Sequence, residues 1–238
     1  MISAGSADPT IAALLAMHPN VSSVLKTECE GIEFVTNRRR FVLPHSFGGE
    51  LGGVVELMDN NPLVCDDSAW VPSAGGALAV LALGPLLEAG LVVEPPAILL
   101  SFEEPVESVV QGLRTVGYMG DIALNCNANQ MGTVRGAYCI AKITNPESFD
   151  EIDDIYDERY GRSFFVRRAE VEPWATELVE GKPWACFRLE LTEGETESLL
   201  AIHIMADIGG KAGAGQFIHT MNIMCGFEES LGLTPSSL

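Results

Sequence analysis

Three groups of residues carry side chains able to do chemistry. The first is the run Asp207-Ile208-Gly209-Gly210-Lys211-Ala212-Gly213-Ala214-Gly215-Gln216. Its small residues let backbones approach closely. A helix starting there would offer unpaired N–H groups beside the Lys211 ammonium, the ingredients of an anion site. The same small residues equally suit a helix packed tightly on a sheet, with no ligand. Arg135 and Gln216 join Lys211 as candidates to hold a carboxylate or phosphate, although Arg135 could equally serve an ion pair at a surface or interface. The second group is six cysteines, Cys29, Cys65, Cys126, Cys139, Cys186 and Cys225. No two have C-x-x-C spacing and most lie in apolar runs, so they read as reduced thiols in or near a core, in a reducing compartment. The third is the histidines His18, His45, His203 and His219, whose spacing to the cysteines disfavours zinc. His203 falls on an expected buried strand and reads as a core histidine, while His219 has no evident partner.

The elements that would position these groups follow from periodicity. Asp8–Met17 reads as a helix that Asp8 can cap, with Pro9 suited to its first helical position. Gly31–Val35, Arg40–Leu43 and Val54–Met58 suit strands, with turns or loops at Asp59–Pro62 and Cys65–Ser68 and a Gly-rich loop over His45–Gly53. Ala74–Ala89 is a long apolar helix; its glycines and Glu88 argue for burial in a protein core rather than in a membrane. Ala97–Phe102, Asp121–Asn127 and Thr133–Thr144 read as strands, Pro105–Val116 and Pro146–Tyr160 as helices, and Ser163–Arg167 as a short strand. Trp184–Leu191 and Ser198–Met205 form a hairpin signal, and Gly210–Met224 a last helix. The alternation implies an α/β or α+β fold, a mixed sheet covered on one face by helices. Trp70, Trp174 and Trp184 read as packing anchors, and Arg38-Arg39-Arg40 as a solvated or internally paired run.

Composition narrows the partners. A net charge of −19 repels nucleic-acid backbones and anionic membranes. At 47% hydrophobic residues the 238-residue chain can bury one sizeable core plus a smaller lobe. A secretory signal is not evident at Met1–Gly5, and the expected location is the cytoplasm or an organelle matrix or stroma.

The C-terminal motifs carry a resemblance. The glycine-rich run, followed by Met221-Asn222-Ile223-Met224-Cys225-Gly226-Phe227-Glu228-Glu229-Ser230, is similar to the end of N-acetyl-γ-glutamyl-phosphate reductases. Pro85–Leu91, Arg135-Gly136 and the turn at Gly181–Trp184 extend the likeness over roughly residues 70–233, and His18-Pro19-Asn20-Val21 matches a piece near the family's N-terminus. The resemblance implies a semialdehyde-dehydrogenase-type dimerisation and catalytic domain over 71–209, a truncated, degenerate dinucleotide-binding lobe over 1–70, and a C-terminal helix over 210–238 packing back on that lobe. It also implies a mixed sheet that pairs with another subunit. The family reaction uses a cysteine thiolate to attack an acyl phosphate, NADPH to deliver hydride and a histidine to handle the proton.

Set on this sequence, those groups are missing. Ungapped counting puts the nucleophile position on Ala74, and a shifted register puts it on Trp70; Cys65, nine residues before Ala74, is the nearest thiol. The histidine position is Asn129, which does not transfer protons near neutral pH. Of the three glycines of the cofactor loop, whose positions fall on Ile2, Gly5 and Asp8, only Gly5 is kept, and the strand before them is expected to be absent. Asp8 would repel a pyrophosphate, so NADP binding in the family manner is not expected. The preferred reading is a pseudoenzyme, a structural or regulatory subunit assembling with itself or another chain. The alternatives are a binder of anionic small molecules, or an active NADP-dependent reductase of arginine biosynthesis with relocated residues.

Overall fold

The computed structural model describes residues 1–37, 39–44, 51–58, 60–128, 131–169 and 173–233. Near the N-terminus, β1 (Ile2–Gly5), α1 (Pro9–Met17) and β2 (Val21–Val24) form a β-α-β unit with β1 and β2 parallel. Asp8 sets the start of α1, its Oδ1 accepting from the amides of Thr10 and Ile11 at 2.8 and 2.9 Å. β3 (Ile32–Val35) and β4 (Arg40–Leu43) add antiparallel strands, giving the order β2-β1-β3-β4. One strand expected to be absent is therefore present. Ile2–Gly5 is β1 itself, and only Ser6, Ala7 and Asp8 separate it from α1.

This small sheet cannot bury its apolar face alone. The last helix, α6 (Ala214–Cys225), returns to it, and Phe217, Ile218 and Met221 share a core with Ile11, Leu15, Phe34 and Leu43. Between the lobes the expected strand at Val54–Met58 is a 3-10 turn, Val55–Leu57. The expected turn that follows is replaced by the short helix α2 (Asn60–Cys65).

The larger sheet has the order β6-β5-β7-β10-β9-β8. Its strands are β5 (Ala97–Leu100), β6 (Ala123–Cys126), β7 (Val134–Thr144), β8 (Val166–Arg168), β9 (Ala185–Thr192) and β10 (Glu197–Asp207). The pairs β5–β6 and β8–β9 are parallel, whereas β7, β10 and β9 are antiparallel neighbours. One face is covered by α3 (Ala74–Glu88), which is buried almost all round, and by α5 (Phe149–Tyr160); α4 (Val106–Arg114) packs on α3. Pro85 inside α3 deprives the Leu81 carbonyl of its helical donor, and the Tyr160 hydroxyl donates to that carbonyl at 2.9 Å.

The other face of the sheet is largely open. Strand register arranges it in three cross-strand rows: Asn125-Leu99-Tyr138-His203-Arg188, then Ala123-Ala97-Ile140-Ala201-Glu190, then Lys142-Leu199-Thr192. Leu99 is 39% and Leu199 47% exposed, large apolar exposures for central strands. Alongside Tyr138 and Ile140 a groove of about 450 Å3 runs between β5, β6 and β7. His203, expected to be a core residue, stands on this open face because its register is odd with respect to Ile202 and Ile204, which point into the core.

Candidate functional site

Chemistry of the expected kind would be assembled where α3 begins. Ala74 is the first helical residue there, and Ser73 is the cap, its Oγ accepting from Gly76 N at 3.3 Å. A second acceptor is the carboxylate of Glu104, whose Oε2 lies 3.2 Å from Gly75 N. The positive end of the helix is thus met by the chain's own carboxylate. Trp70, the other position considered for the nucleophile, is buried. Cys65 is exposed at the end of α2, and the Cys126 thiol lies 3.7 Å from the Glu104 carbonyl. Asn129, the position expected for the proton-transfer group, lies outside the described residues, as do His45 and Arg38. The two remaining arginines of that run are paired, Arg39 with Asp67 at 3.5 Å and Arg40 with Glu33.

The glycine-rich run is the expected turn before the last helix, which begins at Ala214 rather than Gly210, and its amides are largely used internally. Asp207 organises it: Oδ1 accepts from Gly209 N at 2.7 Å, Oδ2 from Thr133 Oγ1 at 2.5 Å and Gly181 N at 3.0 Å, and its carbonyl from Gly210 N and Ala212 N. Ala214 N bonds to Ile208 O at 2.8 Å. A Cβ on Gly210 would stand 2.3 Å from Lys182 O, and one on Gly215 2.8 Å from Gly210 Cα. The packing role of these glycines is therefore met in full.

Lys211, expected to face an anionic ligand, is fully buried. Its Nζ lies 2.7 Å from Glu56 Oε1, outside hydrogen-bond angles but close enough for an ion pair, and 3.2 Å from His219 Nδ1. Since the ammonium is the donor, His219 Nδ1 accepts, and its Nε2–H donates to Glu229 Oε2 at 3.1 Å. Phe165 covers the imidazole at a centroid distance of 4.0 Å. Burial and then the Lys211 charge push the His219 pKa down, so the ring is neutral. Burial likewise lowers Lys211, against the pull of Glu56. Burial resists ionisation of Glu56, yet the Lys211 ammonium holds its pKa below the ordinary carboxylate value.

The three residues expected to share an anion pocket are not gathered into one. Arg135 Nη1 donates to the carbonyls of Gly132 and Val134 at 3.1 Å, and its guanidinium lies 5.5 Å over the Phe102 ring. Gln216 is buried in the first turn of α6, with Nε2 unpaired among the described residues. Lys211 has no surface to offer a solute, because a buried ammonium needs a counter-charge and Glu56 supplies it. Glu56 lies 155 positions from Lys211 in the sequence, a separation at which spacing carries no signal of the pair.

The nucleotide loop fares no better. Gly5 ends β1, and a Cβ there would stand 2.2 Å from Leu25 O, so its role is close strand packing. The amides of Thr10 and Ile11, which a pyrophosphate would need, are held by Asp8 Oδ1. These residues do not fit the dinucleotide. Among the described residues no group of His, Cys, Asp and Glu is placed to hold a metal, the cysteines are free thiols, and no helix is long and apolar enough to cross a membrane.

Comparison with known proteins adds a relationship. No family profile matches the chain. Over 111 residues, 44% of the chain, it is 31% identical to N-acetyl-gamma-glutamyl-phosphate reductase of Marinobacter nauticus, and over 116 residues, 48% of the chain, 28% identical to that of Lachnoclostridium phytofermentans. The chain spans about a third of the length of these curated relatives, 31% and 33%. Its fold is similar to that of aspartate semialdehyde dehydrogenase II of Vibrio cholerae, with TM-score 0.61, 10% identity, and coverage of 77% of this chain and 72% of that one. The same enzyme complexed with ASA gives a TM-score of 0.59. The chain is similar to the reductases over a little under half its length, and its mixed α/β fold is similar to that of the semialdehyde dehydrogenase.

Proposed function

We propose that this protein is a catalytically silent homologue of N-acetyl-γ-glutamyl-phosphate reductase that acts as a structural or regulatory subunit, with a second copy of the chain as its partner. The observation carrying this reading is the open face of the large sheet. Leu99, Leu199, Tyr138 and Ile140 form an apolar strip there, too large to be a scatter of single surface residues. Its described charges are mixed and close to balance, the cations Lys142 and Arg188 standing among the carboxylates Glu94, Glu190 and Glu197. On a chain of net charge −19 this face is neither acidic enough to draw a basic partner nor repulsive to a copy of itself. A two-fold axis would set like patch on like patch, each cation able to meet the other copy's carboxylate. The silence of the chemistry is supported by Ala74 at the helix start, by the Glu104 carboxylate on its amides and by Asp8 on the amides of α1.

The experiment is sedimentation velocity at neutral pH on the whole protein and on Leu199→Glu, with NADPH oxidation measured on N-acetyl-γ-glutamyl phosphate. The expected results are a species of twice the 25.5 kDa chain mass, its loss in Leu199→Glu with the fold intact, and no turnover. A monomeric wild type removes the assembly half of the reading, and NADPH-dependent turnover removes the other half.

A further inference from the structure

His203 occupies the middle of the open face. It stands in register between Tyr138 on β7 and Arg188 on β9, and its ring lies 4.5 Å from the Tyr138 ring by centroids. Trp174 closes over it edge-on at 6.2 Å, and the Arg188 guanidinium in turn lies 5.2 Å over the Trp174 ring. A small cavity of about 130 Å3, lined in part by Leu99, Met131, Tyr138, Trp174 and His203, opens beside the ring. The charged and titratable described groups around it are few. Tyr138 faces it from β7, and Arg188 and Glu190 from β9, with Glu190 Oε1 3.6 Å from His203 Nε2 and 3.3 Å from Arg188 Nη2. Glu190, itself 56% exposed, thus lies against both the arginine and any charge the histidine acquires.

Resting on the assembly reading above, we infer that His203 makes the pairing of two copies pH-sensitive: the open face associates while the imidazole is neutral and separates when it takes a proton. Covering the face removes water from His203. A proton then adds a second positive charge beside Arg188, where the low dielectric magnifies repulsion and Glu190 is already shared with the arginine. Across a two-fold axis the two histidines and two arginines gather on one interface, so the effect is counted twice. In the isolated chain, burial and then Arg188 already press the His203 pKa below 6.5, with Glu190 opposing, so the ring is neutral at neutral pH. The linkage sign follows. The dissociated face binds the proton more readily than the covered one, so the dissociation constant is flat above the isolated chain's His203 pKa, itself below 6.5, and rises as pH falls through it.

The test is the dimer dissociation constant at pH 7.5 and 5.5, by sedimentation equilibrium, for the wild type and His203→Gln, with circular dichroism confirming the fold at both pH values. Glutamine keeps a polar side chain of similar reach without the titration. The expected result is a rise of roughly tenfold or more in the wild-type constant at pH 5.5, and little change in His203→Gln. Equal constants at the two pH values, or the same loosening in His203→Gln, overturn the inference and leave the assembly reading standing. A monomer at both pH values overturns the assembly reading and this inference with it.

Discussion

Lys211 shows how one side chain changes meaning between a sequence and a fold. Beside glycines at an expected helix start it reads as an anion holder. In the structure it is an internal counter-ion, joined to Glu56 at 2.7 Å with no solvent exposure. The two readings predict different things. An anion-binding lysine can be replaced with little effect on stability. A buried pair, broken on one side, leaves an uncompensated charge, and Lys211→Met should cost about 3–5 kcal/mol. Adding Glu56→Leu should return much of that loss, because an apolar pair of similar volume needs no hydration. Urea denaturation of the two variants is the measurement, and a single variant as stable as the wild type would remove the ion pair from the account. His219 was illegible for the same reason as Glu56. Its partners Lys211 and Glu229 lie 8 and 10 positions away, spacings that only the turn before α6 and the bend after it bring together. Ala74, by contrast, stands where the sequence places it, at the first turn of α3.

Among the elements, α3 has an internal proline that the sequence displays openly, and the structure supplies the compensation that the sequence hides. The Tyr160 hydroxyl reaches from α5 to the Leu81 carbonyl, and the Tyr156 hydroxyl does the same for Ala82 at 2.6 Å. Both rings are buried, so each hydroxyl ties the α5 register to the α3 backbone. Tyr160→Phe keeps the packing and removes only the donor. The expected loss is about 1–3 kcal/mol, the cost of a buried acceptor left unpaired, read as a lowered melting temperature with unchanged circular dichroism. An unchanged melting temperature would mean that Leu81 O is satisfied in another way. Most of the long elements were legible, α3, β7 and the β9–β10 hairpin above all, because apolar period and length signal them directly. The short ones were not. Ile2–Gly5 as β1 contains three small residues in four, so alternation is invisible, and ungapped counting assigned it to a loop. Val55–Leu57 has apolar residues spaced like a strand, yet Glu56 must turn inward to meet Lys211, and a 3-10 turn points it there. The open face of the large sheet was only half legible, since the core-facing alternation of β10 was plain while the uncovered side depends on which face the helices take.

At the scale of the whole molecule, the two ends of the chain hold each other. His18, at the end of α1, accepts from Asn20 N through Nδ1 at 3.2 Å, so its Nε2–H donates to Asn222 Oδ1 on α6 at 2.9 Å. Asn222 in turn donates to the carbonyls of Glu229 and Leu231, which pins the segment after α6. The two motifs that first suggested kinship, one near each end, therefore meet as one buried hydrogen-bonded pair. Like His219, His18 has its pKa lowered chiefly by burial, with the bonds to Asn222 and Leu231 opposing. Both rings are neutral in the fold and protonate more readily when unfolded. Folding stability should then be flat above about pH 6.5 and fall as pH drops from 6.5 towards the lower folded values, because the unfolded chain takes up protons there that the native chain refuses. A second loss follows below pH 4.5, where Glu56 and the half-exposed Glu229, both lowered in the fold, must be protonated. Urea midpoints between pH 8 and pH 4, taken on the Leu199→Glu chain so that association does not contribute, should show the first step at the histidines. His18→Gln should shrink that step. A midpoint that stays constant from pH 7.5 to 5.5 would mean that both imidazoles ionise inside the fold as readily as in the unfolded chain, with the Nε2–H bond from His18 to Asn222 kept in either form.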